Sequence, residues 1–596
     1  MKIFRRKSIT ALLAEAEHDK RLNRTLGPVN LTALGIGAII GGGIFVLSGK
    51  VAAQNAGPAV VLSFVLAGFA SVFAALCYSE FASLVPMSGS AYTYGYATLG
   101  ELFAWIIGWD LVLEYAVGAI TVAISWSGYL VSLLNSLGLY IPPEVAAAPG
   151  THLVMIPQAV HQALGIPTGW QVLTDELGRR LVAGGVALDT LRQGTALFNL
   201  PAVLIIFLVS ALLVVGVKES ARFNNVIVFI KVGVILIFLV AVYHAINPAN
   251  WHPFIPANTG VREHFGWTGV MAGAGIVFFA YIGFDAVSTA AQEARRPQRD
   301  MPIGIIGSLL ICTVLYILVS GTMTGVVNYK QLGVPDPIAL VADYAGLKWL
   351  GGLIKVGAIV GLSSVVLVML FGQSRVFWAM AKDGLLPESV QRVHPRFRTP
   401  YITTIVTGVA TAFFAATLNI GVAGELCSIG TLLAFVIVSV GVLFLRVRHP
   451  EMKASFRTPM VWLVGPLGAL SSLYLMISLP WPTWERLILW FAIGMVIYFG
   501  YGVYHSKLGP EVIPGETKWS RMLKIVGLVW IVAGSVASII WLFYYRKTLL
   551  PGPLGVIVGV TGLLISVSLG SLLNLIAQLT DNLRARALAG PGERAS

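Results

Sequence analysis

Four ionisable side chains, Asp110, Glu114, Lys231 and Asp285, stand inside stretches that are otherwise strongly apolar. A charge at the centre of a membrane helix costs about 2.5–3.5 kcal/mol on insertion scales, so each of the four asks for a partner, a cavity or a task. Asp110 and Glu114 are one helical turn apart in AWIIGWDLVLEYAVGA and share a helix face. Lys231, in NNVIVFIKVGVILIFLV, lies about 12 Å along the helix axis from Phe223 at 1.5 Å per residue. Its ammonium either snorkels to the nearer interface or serves as a buried functional cation. Asp285 sits two turns before EARRPQRDMP, where it forms a structural ion pair or carries a proton during turnover; Glu114 has the same two roles open to it.

Glycine is the second signal. GIGAIIGGGIFVLSG, residues 35–49, sets Gly41, Gly42 and Gly43 side by side in the first apolar segment. Each glycine weakens a helix by about 1 kcal/mol relative to alanine. Small residues also serve close helix packing, so the glycines alone do not choose between a packing face and a break. A broken helix at membrane depth survives only where protein or a watery cavity satisfies its backbone, and secondary transporters place such breaks at their substrate sites. A second interruption falls in GVMAGAGIVFFAYIGFDAVSTAAQEA, residues 269–294, where Gly283 neighbours Asp285.

The elements that must position these residues follow from composition. Of the 596 residues 57% are hydrophobic and only 11% charged, against about 25% in a typical soluble domain, which marks a polytopic membrane protein. About fourteen apolar runs are long enough to cross a hydrocarbon core of about 30 Å. They fall near 29–52, 58–85, 98–134, 200–218, 223–245, 268–290, 302–327, 348–380, 401–419, 424–445, 458–479, 484–504, 522–543 and 553–578. The interrupted first and sixth runs open successive sets of five. The fold expected is therefore an all-α integral membrane protein, a ten-helix core of two five-helix inverted repeats over 29–445 followed by four further helices over 446–578.

A segment 1–28 and a tail 579–596 flank the membrane region. Placing both termini in the cytoplasm puts most of the Lys and Arg residues in loops on that side, which sets the orientation in a cell membrane. The net charge of +13 then reads as orientation signals near anionic lipid, and no nucleic-acid partner is expected. The first 27 residues lack the apolar core of a cleavable secretory signal. The long loop 136–199 is expected outside, as a small subdomain with moderate helical periodicity. Cys77, Cys312 and Cys427 fall inside apolar runs without metal-ligand spacing and read as small buried side chains. No histidine arrangement such as H-E-x-x-H argues for a membrane enzyme, and paired breaks fit a transporter better than a channel or receptor.

GIGAIIGGGIF, PMSGSAYTYGYATLGE at 86–101, FFAYIGFD at 278–285, EARRPQRDMP and GQSRVFWAMAKDGLLP at 372–387 together resemble the amino acid, polyamine and organocation superfamily. Lys231 and the fourteen-helix count resemble its cationic amino acid transporter branch, which includes bacterial members. The resemblance implies alternating access around a substrate amino acid. Its α-carboxylate would meet the N–H groups of Gly41, Gly42 and Gly43, and its α-amino group the carbonyls of Ala38, Ile39, Phe279, Ala280 and Ile282.

The resemblance further casts Phe279 as an aromatic gate and Lys231 as an ammonium in the place of sodium, with Glu114 and Asp285 as candidate proton carriers. Coupling to protons is then expected, without sodium, metal or cofactor. Met369 matches a pocket position that is small and polar in members taking arginine and lysine; a bulky Met favours small or apolar neutral amino acids. The alternative is a uniporter or exchanger of cationic amino acids or polyamines. Gly42 stands where family sequences commonly carry Thr or Ser, and Ser90 where they carry the second glycine of an S-G-G turn.

Overall fold

The computed structural model describes residues 26–507, apart from 85–89, 167, 174, 216–220, 262, 286, 289–290, 292–293, 398 and 449–453, and also residues 527 and 530. Among them run twelve apolar helical stretches, eight of membrane-spanning length and four shorter. Together they make the first twelve expected crossings. The expected spans at 522–543 and 553–578, most of segment 1–28 and the tail 579–596 lie outside the described residues.

The first crossing is two pieces. Its inner half, Pro28–Ile39, starts on a proline, whose missing N–H costs nothing at a helix start. It ends where Ile40 leaves the helical region at φ −72°, ψ 95°. The outer half resumes as a widened π turn over Gly43–Leu47 and runs through residues 48–56 to a corner at Gly57, whose φ of +61° suits glycine. The second crossing continues from there through Val60–Leu84. The sixth is also short: Gly266–Val277 tightens into Phe278–Tyr281, and Ile282 then turns extended at ψ 133°.

The helix pairings reveal the symmetry. The second crossing packs on the seventh (Pro297–Val326), the third (Glu101–Ser136) on the eighth (Lys348–Lys382), and the fourth (Leu200–Val215) on the ninth (Tyr401–Thr417). First against seventh is matched by sixth against second. Fifth (Ala221–Val242) against eighth is matched by tenth (Ile420–Arg448) against third. Each of these pairings maps onto itself or onto another of them when five is added to each helix number, counting round the ten. Because five is odd, the second set enters from the opposite face, which makes the repeats inverted.

The eleventh crossing, Val461–Ser478, lies against the second and tenth, and the twelfth, Trp481–Ile497, against the tenth and third. To this helical body the long loop adds a small sheet, in which β1 (His152–Ile156) pairs antiparallel with β2 (Gly169–Val172) and β3 (Gln193–Thr195). Val154, Ile156, Ile166, Leu181 and Leu191 close a core of its own beneath the sheet.

One ion pair staples the second crossing to the tenth. Arg446 donates through Nε to Glu80 Oε1 at 2.7 Å and through Nη2 to Oε2 at 3.0 Å, and the Thr458 N–H adds a third bond at 2.9 Å. The Glu80 side chain is only 2% exposed, so removing its partner strands a buried charge. Arg446→Ala should cost about 3 kcal/mol of stability, read as an early melting transition in detergent, with Arg446→Lys intermediate. An unchanged melt for Arg446→Ala would show that the pair is not needed.

Candidate functional site

The two interruptions face one another at the centre of the bundle. A side chain on Gly43 would collide with the backbone of Ala280 in the sixth crossing. Gly283, at φ +121°, would place one 2.9 Å from the carbonyl carbon of Ala38. Only glycine allows these two approaches. Between the breaks stands Tyr316 of the seventh crossing, its hydroxyl 2.9 Å from Ile39 O and 2.8 Å from Ala280 O. A phenol has one proton to give, so the two carbonyls share it and keep lone pairs for a further donor.

Ending a helix in the bilayer leaves its last carbonyls without partners. Lys231 meets that need: Nζ donates to Gly37 O at 2.9 Å and to Ile40 O at 3.1 Å. The residue is 1% exposed, so its charge stays in the core and does not snorkel. A cation at a helix C-terminus also opposes the negative end of the helix dipole. Gly361 of the eighth crossing gives the lysine stem its room, since a side chain there would come within 2.8 Å of Lys231 Cε.

The outer half begins with the opposite polarity. The N–H groups of Gly41, Gly42 and Gly43 lie at its first turn, where a helix offers no internal acceptor, and all three residues are buried. A helix start of this kind favours a negative charge. Beside it, Ser125 of the third crossing fills the space of any side chain at 42, its Oγ 2.5 Å from where a Cβ would stand. The hydroxyl absent from Gly42 is thus present on a neighbouring helix.

Apolar groups continue from the donors. A Cβ on Gly41 would touch Val365 at 3.6 Å and Val122 at 3.8 Å. One turn further along the eighth crossing lies Met369, whose Sδ is 3.4 Å from the corresponding point on Gly118, with Cys427 Sγ at 3.6 Å. Phe279 is buried at 5% exposure, and its carbonyl accepts the Ile282 N–H at 3.2 Å. Of the five carbonyls expected to hold an amino group, those of Ile39 and Ala280 converge, that of Ala38 abuts Gly283, and those of Phe279 and Ile282 belong to the turn that ends the helical part of the sixth crossing.

The carboxylates form a separate group. Asp110, Glu114 and Asp285 are each at most 1% exposed, and Glu114 lies within electrostatic reach of both aspartates. The Gly283 N–H donates to Asp285 Oδ1 at 3.2 Å, and the Cys427 thiol donates to the Glu114 carbonyl at 3.3 Å. Neither carboxylate oxygen of Asp110 has a hydrogen-bond partner among the described residues. Lys231 and the acids thus serve different places: the lysine holds the first helix, and the acids gather where the third, sixth and tenth crossings meet.

Residues 26–501 match the amino acid permease family model, which spans both breaks and all twelve described crossings. The chain belongs to the amino acid permease family. The permease is 44% identical to the methylthioribose transporter of Bacillus subtilis (strain 168) over 506 residues, covering 85% of this chain and 99% of that one. It is 45% identical to the branched-chain amino acid permease BcaP of the same organism, over 85% of this chain and 99% of that one. It is 30% identical to human cationic amino acid transporter 4, over 84% of this chain and 91% of that one.

Tyr316, Ser125, Val122 and Val365 are the permease residues that sequence reasoning missed. An uncharged side chain in an apolar run carries no mark of its neighbours. Only the hydroxyls of Tyr316 and Ser125, as polar groups at membrane depth, offered a faint signal.

Two substitutions probe this arrangement. Gly43→Ala should abolish uptake while the protein still reaches the membrane, because the sixth crossing blocks the new methyl; near-normal uptake would refute the close approach. Tyr316→Phe should raise KM about fivefold through loss of roughly 1 kcal/mol of hydrogen bonding that orders the two breaks. An unchanged KM would mean the carbonyls are held without it.

Proposed function

We propose that this permease carries small or apolar neutral L-amino acids across the cell membrane by alternating access, coupled to protons and with both termini in the cytoplasm. The observation that carries the reading is the Lys231 ammonium on the carbonyls of Gly37 and Ile40. A fixed cation there satisfies the broken helix without a bound sodium ion. The substrate carboxylate binds the N–H groups of Gly41, Gly42 and Gly43, and its ammonium donates to the carbonyls of Ile39 and Ala280, with Ala38, Phe279 and Ile282 shaping the turn around it.

Val122, Val365 and Met369 line the path of an apolar side chain and offer a guanidinium or a second ammonium no partner. The relative BcaP, a branched-chain amino acid permease, supports this choice. Phe279 closes over the bound substrate, and Glu114 and Asp285 pass the coupling proton. The substrate leaves chemically unchanged, so the protein acts as a carrier and not as an enzyme. A second reading, methylthioribose transport, rests on the name of a relative of almost equal identity. Methylthioribose has neither a carboxylate for the three glycines nor an ammonium for the two carbonyls.

Uptake into proteoliposomes separates these readings. Labelled leucine and alanine should enter under an inward proton gradient and ignore sodium, and excess arginine, putrescine or methylthioribose should not compete. Sodium dependence, or methylthioribose as the better substrate, would overturn the proposal. Lys231→Met should lower proton-driven leucine uptake at least about tenfold, since it removes hydrogen bonds from a charged donor; intact coupling would sink its assigned role. Met369→Ser should admit arginine as a competitor, and an unchanged profile would show that this side chain does not limit the pocket.

A further inference from the structure

The segment SAYTYGYATLGE lies outside the proposed substrate site, yet Tyr92, Tyr96 and Glu101 within it all make buried side-chain hydrogen bonds. It forms a short helix, Ser90–Thr98, between the second and third crossings. Tyr92 and Tyr96 are four residues apart and share one face, with ring centroids 5.8 Å apart; Tyr94 points the other way. All three are buried. Tyr94 stacks on Phe81 of the second crossing at 5.3 Å and lies beside Ser288, just past the break in the sixth.

The opposite face is gripped by the end of the twelfth crossing. Glu101, 5% exposed, accepts from Tyr96 at 2.9 Å, from Tyr498 at 3.2 Å and from Ser506. Tyr92 donates to Asp383 Oδ2 at 2.7 Å, and the Lys507 N–H donates to the Asp383 carbonyl at 3.0 Å. Gly384, at φ +83°, lets the backbone of His505 lie directly against it. Higher up, Trp109 and Trp490 stack at 4.5 Å and each donates its indole N–H to the other's carbonyl. The twelfth crossing is therefore anchored on the third, and its last turn reaches across this face of the protein.

We propose that Glu101 is a positioning residue for gating: through it the end of the twelfth crossing holds the tyrosine helix against the sixth crossing and keeps this face of the permease shut. The grip is made of hydroxyls on a carboxylate, which exchange readily with water. A change in the twelfth crossing thereby alters how often the face opens, without touching the substrate. The inference rests on the alternating-access reading, but its test needs no substrate, so a wrong substrate assignment leaves the result intact.

The test uses full-length protein in proteoliposomes carrying Ser288→Cys, labelled by a membrane-permeant maleimide and read by peptide-resolved mass spectrometry. Adding Tyr498→Phe and Ser506→Ala removes two of the three donors to Glu101. Labelling of the introduced thiol should then quicken about tenfold, the effect of losing hydrogen bonds to a charged group, while labelling of the native Cys77, buried in the second crossing, stays slow. An unchanged rate at the introduced thiol overturns the proposal. So does an equal rise at Cys77, which would show general loosening rather than release of a gate.

Discussion

A backbone that unwinds inside a bilayer must find partners for every N–H and C=O it exposes, and the rest of this structure follows from how that need is met. The decisive partner is Lys231. Its ammonium ties the carbonyls of Gly37 and Ile40, so the inner half of the first crossing ends in the core at small cost. The lysine needs Gly361 for space, Tyr316 completes the joint between the two breaks, and Gly43 lets the sixth crossing approach. The N–H groups of Gly41, Gly42 and Gly43 lie at the other end of the break, at the start of the outer half, where a helix has no internal acceptor. In the proposed mechanism the fold satisfies one end of the break and leaves the other to the substrate.

The inverted pairing of helices explains why the breaks meet at the centre. The first and sixth crossings occupy equivalent places in the two repeats, so each packs on the other's neighbour, the first on the seventh and the sixth on the second. Both are short of a full uninterrupted span. The third and eighth crossings, long and continuous, form the wall that supplies Val122, Val365 and Met369. The eleventh and twelfth crossings lie outside this symmetry and fasten to it by the Thr458 N–H, just before the eleventh, on Glu80 of the second and by paired tryptophans on the third.

The sequence made legible whatever is expensive in a membrane. Three adjacent glycines, an intramembrane lysine and buried carboxylates each violate the apolar pattern, and each lies in the centre of the bundle. Run length located the crossings, because bilayer thickness leaves little freedom. Tyr316 and Ser125 were hidden because their partners lie far off in the chain, and a buried hydroxyl serves equally well to bond its own helix. The grip on Glu101 was hidden for the same reason, with Ser506 more than four hundred residues away. The strands of the long loop were missed because a five-residue apolar run such as HLVMI cannot be told from a helical segment by periodicity.

The central claim is that the broken first helix binds a carboxylate through backbone donors while Lys231 occupies the place of a cation. A substrate-bound structure tests it most directly. The expected result is a substrate carboxylate about 3 Å from the N–H groups of Gly42 and Gly43, with Lys231 still on the carbonyls of Gly37 and Ile40. A carboxylate bound elsewhere, or a sodium ion on those carbonyls with the lysine displaced, would contradict it.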